Sequence, residues 1–167
     1  MSQGFFIEPL NERHNRKSFD CGQDTLNDYL KRFARQNTAI GSSRTYVAVT
    51  PDDPRVCGYF TLSAGAVALS DFPEEVHKGW PRLVPSVHLG RFAVDRDFQG
   101  QRLGKALLDV VLERTVLASE IVGIVALELW AIDEGARNFY RKFEFAKLQD
   151  DPFHLYLSLE TARGTSS

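Results

Sequence analysis

Cysteine is scarce: Cys21 and Cys57 are the only two in 167 residues. Two thiols make no disulfide framework, so packing has to hold the fold, and a reducing cytoplasm is the expected home. Neither has an evident histidine partner in the sequence, which sets aside a thiol nucleophile. Long apolar runs are missing too. No stretch approaches the roughly 20 apolar residues that span a bilayer, so no membrane contact is expected. The opening MSQGFFIEPLNERH lacks the apolar core of a secretory signal. Nor is there an excess of basic charge: the formal net charge is −2, which argues against indiscriminate nucleic-acid binding. The histidines, His14, His77, His88 and His154, show no short metal-ligand spacing, so no metal is expected. Internal repeats, low-complexity tracts and long linkers are absent.

What is present is a globular composition, 43% hydrophobic and 25% charged, in a length that buries most of its apolar surface as one domain. That domain is expected over residues 1–161, with 162–167 as a short tail. The charge is uneven. Between residues 11 and 44, Arg13, Arg16, Lys17, Lys31, Arg32, Arg35 and Arg44 outnumber Glu12, Asp20, Asp24 and Asp28, whereas Asp150, Asp151 and Glu160 weight the C-terminal part. A locally basic end on a slightly acidic protein is compatible with contact to one defined polyanion.

Periodicity supplies the elements. FFIEPL reads as a strand ending at Pro9. In DTLNDYLKRFARQN, Leu26, Tyr29, Leu30 and Phe33 fall at i, i+3, i+4 and i+7. That predicts a helix with Lys31 and Arg35 on its opposite face, Arg32 on the flank and Gly41 as its stop. RTYVAVT and VCGYFTLSAGAVAL predict an antiparallel pair about the turn PDDPR. Residues 71–86, with Pro73, Pro81 and Pro85, predict a loop or a short irregular helix. SVHLGRFAVD predicts a strand, and Leu103, Leu107, Val110 and Val111 an amphipathic helix. IVGIVALELWAI predicts a buried strand with Trp130 in the core. Asp133 is placed to cap EGARNFYRKF, and FHLYLSLE closes as a strand. The order β-α-β-β-β-α-β-α-β gives an α/β (α+β) class, a mixed and mostly antiparallel central sheet flanked by helices.

One stretch stands out. DFQGQRLGKALL, residues 97–108, places Gly100 and Gly104 where a strand gives way to a helix. Glycine in a helix costs about 0.5–1 kcal/mol relative to alanine, so the segment is either a plain turn or a bare backbone that lets N–H groups approach an anion. It is neither a dinucleotide-binding G-x-G-x-x-G nor a P-loop. Residue chemistry alone leaves both readings open.

LGRFAVDRDFQGQRLGKALL followed by AIDEGARNFYRKFEF resembles the GNAT family of acyl-CoA-dependent N-acetyltransferases, whose Arg/Gln-x-x-Gly-x-Gly/Ala pattern corresponds here to Gln99-Gly100-Gln101-Arg102-Leu103-Gly104. FDCGQDTLNDYLKRFARQN, SSRTYVAV, GYFTLSAGAV and HLGRFAVD resemble its toxin branch, the TacT-like and AtaT-like acetyltransferases. The resemblance covers almost the whole chain. Two positions depart from the pattern. Arg102 stands where glycine is usual, with its side chain expected to point outward, and Glu144 stands where the family shows FGF. A left-handed non-glycine at a helix end costs about 1–2 kcal/mol, so the helix before Glu144 is expected to end differently.

The resemblance implies a GNAT fold and acetyl-CoA as co-substrate. The backbone of Phe92, Ala93 and Val94 would pair with the pantetheine amides. The N–H groups from Gln99 through Gly100, Gln101, Arg102, Leu103 and Gly104 to Lys105 would hold the pyrophosphate, and Asn138 would contact the same molecule. It implies Tyr140 as the acid that protonates the departing thiolate; packing under the sheet is the plainer role for that ring. It further implies transfer to the α-amine of aminoacyl-tRNA, which blocks translation. The implied partners are a ribbon-helix-helix antitoxin, operator DNA only through the antitoxin complex, and a second copy in a homodimer. Lys31, Arg32, Arg35, Arg44 and Arg91 are the candidates for tRNA phosphates, although Asp28 can pair with Arg32 at i, i+4. No carboxylate or histidine of the sequence sits in an obvious base position, which favours an α-amine over a lysine, because the former is partly neutral at pH 7. A GNAT acting on a small-molecule or protein amine, and a silent acyl-CoA-binding module, remain the alternatives.

Overall fold

The computed structural model describes residues 4–165. β1 (Phe6–Pro9) pairs antiparallel with β2 (Arg44–Thr50), which pairs antiparallel with β3 (Asp53–Ala68). β4 (Leu83–Val94) runs parallel to β5 (Ala126–Trp130), and β5 and β6 (Ala146–Lys147) both lie antiparallel to β7 (His154–Ser158). The sheet is seven-stranded, in the order β1-β2-β3-β4-β5-β7-β6, mixed as the sequence predicts. The helices are α1 (Asp24–Asp28), α2 (Ala34–Ile40), α3 (Leu103–Ser119), α4 (Glu134–Arg141) and α5 (Leu159–Thr165).

The chain divides into two compact units, Met1–Ser63 with Gly90–Val111 and Ala64–Leu89 with Leu112–Ser167. In the first, Phe19, Tyr29, Leu30, Val47, Val56 and Tyr59 form the core. In the second, Phe72, Val84, Ala126, Leu148 and Tyr156 do so, with the Phe72 ring edge-on to Tyr156 at 5.0 Å. The expected tail does not begin at residue 162: α5 runs through Thr165 and Ala162 is fully buried. Ser166 and Ser167 lie outside the described residues.

The first helix departs from the expected 3.6-residue stripe. Between α1 and α2 the chain makes a π turn, Tyr29–Phe33, closed by the Ala34 N–H donating to the Tyr29 carbonyl. An i→i+5 turn holds one residue more than an α turn, so the apolar face slips by one position. Ala34 is buried, and Phe33 is 47% exposed rather than in the core. α2 stops at Gly41, whose φ of +89° is the left-handed value glycine adopts without strain.

Two further expectations fail for reasons of burial. β5 starts only at Ala126; Ile121 and Val122, counted as part of a buried strand, are exposed. Trp130, expected in the core, is 51% exposed because it is the last residue of its strand. Part of the segment 71–86 is strand, since β4 already includes Leu83 and Pro85. The Pro85 carbonyl accepts from the Val125 N–H at 2.8 Å. β6, at two residues, is too short for periodicity to reveal.

Candidate active site

In the first unit, the glycine stretch hangs on one carboxylate. Asp95, 1% exposed, follows β4. Its Oδ2 accepts the Asp20 N–H at 2.9 Å, and its Oδ1 accepts the Asp97 N–H at 2.9 Å and Arg55 Nη2 at 3.1 Å. These bonds fold Arg96–Phe98 into a 3₁₀ turn and fix where the next residues start. Gln99 then ties back, its Nε2 donating to the Val94 carbonyl at 2.9 Å. Gln101 Nε2 donates to the Asp97 carbonyl at 3.2 Å, and Lys105 pairs with Asp109 at 3.0 Å.

Gly100 takes φ +80°, with open space where a Cβ would stand, so the backbone angle and not crowding calls for glycine there. Arg102 also adopts the left-handed region, at φ +63°, with its side chain exposed, as the sequence predicts. Among the described residues, no backbone bond outside the helices and strands takes up the N–H groups of Gly100, Gln101 or Arg102. Leu103, Gly104 and Lys105 form the first turn of α3, where N–H groups have no intrahelical acceptor. A run of N–H donors at a helix start fits a diphosphate. Phe92, Ala93 and Val94 end β4, beyond Leu89↔Leu129, where its register with β5 stops.

In the second unit, Asp133 caps α4 as expected, its Oδ1 accepting from the Ala136 N–H at 2.8 Å. Tyr140 is buried near the helix end, 5% exposed, between the rings of Phe139 at 5.2 Å and Phe145 at 5.4 Å. Burial raises its phenol well above the ordinary value, so the proton stays on oxygen. Asn138 is exposed on the same helix.

The helix does not end differently at Glu144. The Phe145 N–H donates to the Tyr140 carbonyl at 3.3 Å and the Glu144 N–H to the Arg141 carbonyl at 3.1 Å, a Schellman pair. Glu144 takes the left-handed position itself, at φ +72°. The paired carbonyls and the buried Phe145 hold a glutamate where glycine is easier.

Of the basic candidates, Lys31, Arg32, Arg35 and Arg44 are exposed. Among the described residues no ion pair joins Asp28 to Arg32, whose guanidinium lies 5.9 Å from the Phe33 ring centroid instead. Arg44 donates to the Thr38 carbonyl at 3.3 Å. Arg91 is half-buried, 3.7 Å over the Tyr29 ring, and so is the candidate most committed to packing. Sequence reading left out Arg13, Arg16 and Lys17 as contacts, yet they line one open cavity of about 660 Å³ with Lys31. Arg16 bonds the Leu30 carbonyl at 2.9 Å, and partial burial, then the nearby Arg35 charge, lower its pKa. Asp95 was missed too; an aspartate directly after a strand and before a turn was the signal.

A second omission is a chain of side chains in the second unit. Glu128 on β5 accepts from His88 Nδ1 at 2.7 Å and from His154 Nε2 at 2.5 Å, and Asp150 lies 2.9 Å from His154 Nδ1. Burial works to raise the Glu128 pKa; the bonds and charges of the two histidines outweigh it and hold the carboxyl below its ordinary value. The thiols are poor nucleophiles by contrast, since burial pushes Cys57 up to about 11.

The family model described as an acetyltransferase (GNAT) domain matches residues 41–147, and this range takes in the loop after β4 and Tyr140. This chain is a GNAT acetyltransferase. The acetyltransferase is 40% identical to a tRNA-acetylating toxin of Mycobacterium tuberculosis, over 87% of each chain. Its fold is similar to that of a tyrosine-to-phenylalanine mutant of KacT, with a TM-score of 0.92, 30% identity and coverage of 97% of this chain and 99% of that one. It is likewise similar to AtaT in complex with acetyl-methionyl-tRNAfMet, with a TM-score of 0.91, 28% identity and coverage of 98% and 99%. AtaT has also been solved with the C-terminus of its antitoxin AtaR, at a TM-score of 0.81, 27% identity and coverage of 96% and 97%, and as an AtaT-AtaR complex bound to DNA. Among the described residues no helix is long and apolar enough to cross a membrane.

Proposed function

We propose that this acetyltransferase is the toxin of a toxin-antitoxin pair and transfers acetyl from acetyl-CoA to the α-amine of aminoacyl-tRNA, blocking its use in translation. The observation that carries this reading is the 40% identity to a tRNA-acetylating toxin over 87% of both chains. By the same likeness its partner is an antitoxin, and DNA is met through the toxin-antitoxin complex.

Bound acetyl-CoA supplies an activated acyl group as a thioester. The N–H groups from Gln99 to Lys105 bind its diphosphate, assisted by the positive end of the α3 dipole. Backbone groups of Phe92, Ala93 and Val94 take the pantetheine amides as an added strand would, and Asn138 contacts the same molecule. Tyr140 protonates the sulfur as it leaves; a phenol kept neutral by burial supports that role. The exposed cations Lys31, Arg32 and Arg35, with Arg44 and the half-buried Arg91, meet tRNA phosphates.

The test is incubation with labelled acetyl-CoA and total charged tRNA. Label should enter tRNA and be lost on base hydrolysis of the aminoacyl ester. Tyr140→Phe should slow transfer by about 10²–10⁴ with acetyl-CoA binding unchanged, in line with loss of a general acid. Label confined to free amines or protein would overturn the tRNA reading.

A further inference from the structure

The sequence offers no evident base for the acceptor amine, but the fold builds one. His88 on β4 and Glu128 on β5 are register partners, so their side chains share a face of the sheet. Glu128 and His154 are each 6% exposed, and the His88 side chain is 34% exposed. An ionised carboxylate only accepts hydrogen bonds, so Glu128 fixes both imidazole nitrogens facing it as N–H donors. His88 therefore carries its proton on Nδ1 and presents the Nε2 lone pair outward, and among the described residues Nε2 has no hydrogen-bond partner. His154 sits between two carboxylates, Glu128 and Asp150, and can donate to both when doubly protonated. The Trp130 ring stacks on it at 4.1 Å and 8°, which holds its plane. Two other titratable groups lie nearby. Tyr156 is the register partner of Glu128, and burial, then the Glu75 charge, raise the Tyr156 pKa. From β3, the residue against His88 is Gly65.

An imidazole whose far nitrogen is held by a buried carboxylate is the arrangement of a general base, with the carboxylate setting tautomer and angle. We propose that His88 is the base of acetyl transfer, with Glu128 and His154 as positioning residues. The proposal rests on the aminoacyl-amine reading above. His88 Nε2 takes one proton from the α-ammonium and leaves a neutral amine. The nitrogen lone pair forms the C–N bond to the thioester carbonyl carbon, and the C–S bond breaks with its electrons on sulfur. Sulfur takes the Tyr140 proton, and the phenolate regains the second proton lost by nitrogen. The histidinium returns its proton to solvent, so each turnover yields one amide, one thiol and one proton.

The experiment is kcat/KM for charged tRNA between pH 6 and 9, with acetyl-CoA affinity measured by calorimetry for each variant. His88→Asn keeps an N–H for Glu128 but has no basic nitrogen. It should lose about 10²–10³ at pH 7. The deficit should shrink as pH passes the α-amine's own value, about 7.7–8.0, while acetyl-CoA affinity holds. Glu128→Gln should give a smaller loss of kcat with affinity likewise held. A His88→Asn enzyme within twofold of wild type throughout, or one with an equal deficit at every pH, would overturn the proposal. Wild type that leaves tRNA unlabelled but releases CoA with another amine would overturn the tRNA reading alone, and the same pH series on that amine then decides for or against His88.

Discussion

Removing the Asp95 side chain tests whether one buried carboxylate sets the loop. In Asp95→Ala, the Asp20 and Asp97 N–H groups lose their acceptor, each held at 2.9 Å in the wild type. Arg55 loses less, because Asp97 Oδ2 still pairs with it at 2.7 Å. Leaving a buried donor unsatisfied costs about 1–3 kcal/mol. Both donors belong to partly exposed residues that water can reach, so the sum falls near the lower end, about 2–3 kcal/mol. For a chain of this size that corresponds to a fall in Tm of roughly 4–12 °C. Asp95→Asn retains one acceptor oxygen and should cost about half as much. Urea unfolding monitored by circular dichroism gives the stabilities, and calorimetric titration with acetyl-CoA should show weaker binding in the same order. If Asp95→Ala unfolds within about 0.5 kcal/mol of wild type, a range typical of neutral surface changes, the carboxylate does not organise the loop. Equal losses in the two variants would instead assign the effect to the Arg55 charge.

Glu144→Gly removes a left-handed non-glycine at a cost of chain entropy, and should stabilise the fold by about 0.5–1 kcal/mol; a lower Tm would refute the strain. Reversing Lys31, Arg32 and Arg35 to glutamate should weaken tRNA acetylation and flatten its salt dependence by about 2–3 in log-log slope; an unchanged slope removes them from the interface. The Glu128 carboxyl is held below its unfolded value, near 4.5. Its contribution to stability is therefore present above that pH and lost as pH falls through the lower folded value. Glu128→Gln should show a flatter acid limb in a pH series of urea midpoints.

The strands and the helix after β4 were legible because half-buried elements impose a period on their sequence. What escaped were features without a period. The π turn at Tyr29–Phe33 keeps every residue type a helix would have and differs only in register, so Phe33 was placed inside. Glu144 was read by intrinsic preference, and a pair of hydrogen bonds overrode that preference. Tyr140 was read as a candidate acid only through the family resemblance, since an aromatic in an amphipathic helix is ordinary core. The His88–Glu128–His154 set was invisible for a different reason. Its members are 40 and 26 residues apart and meet only through strand pairing.

The surplus residue in the first helix also marks a place where length is negotiable. Deleting Phe33 would close the π turn to ordinary spacing and bring Ala34 up behind Arg32. Because the π turn is what absorbs the extra residue, everything downstream would keep its bearing, Arg35 as well as Lys31. A single-codon deletion at this point would therefore shorten the helix without re-aiming its basic face, whereas the same deletion elsewhere in it would turn everything downstream by about 100°.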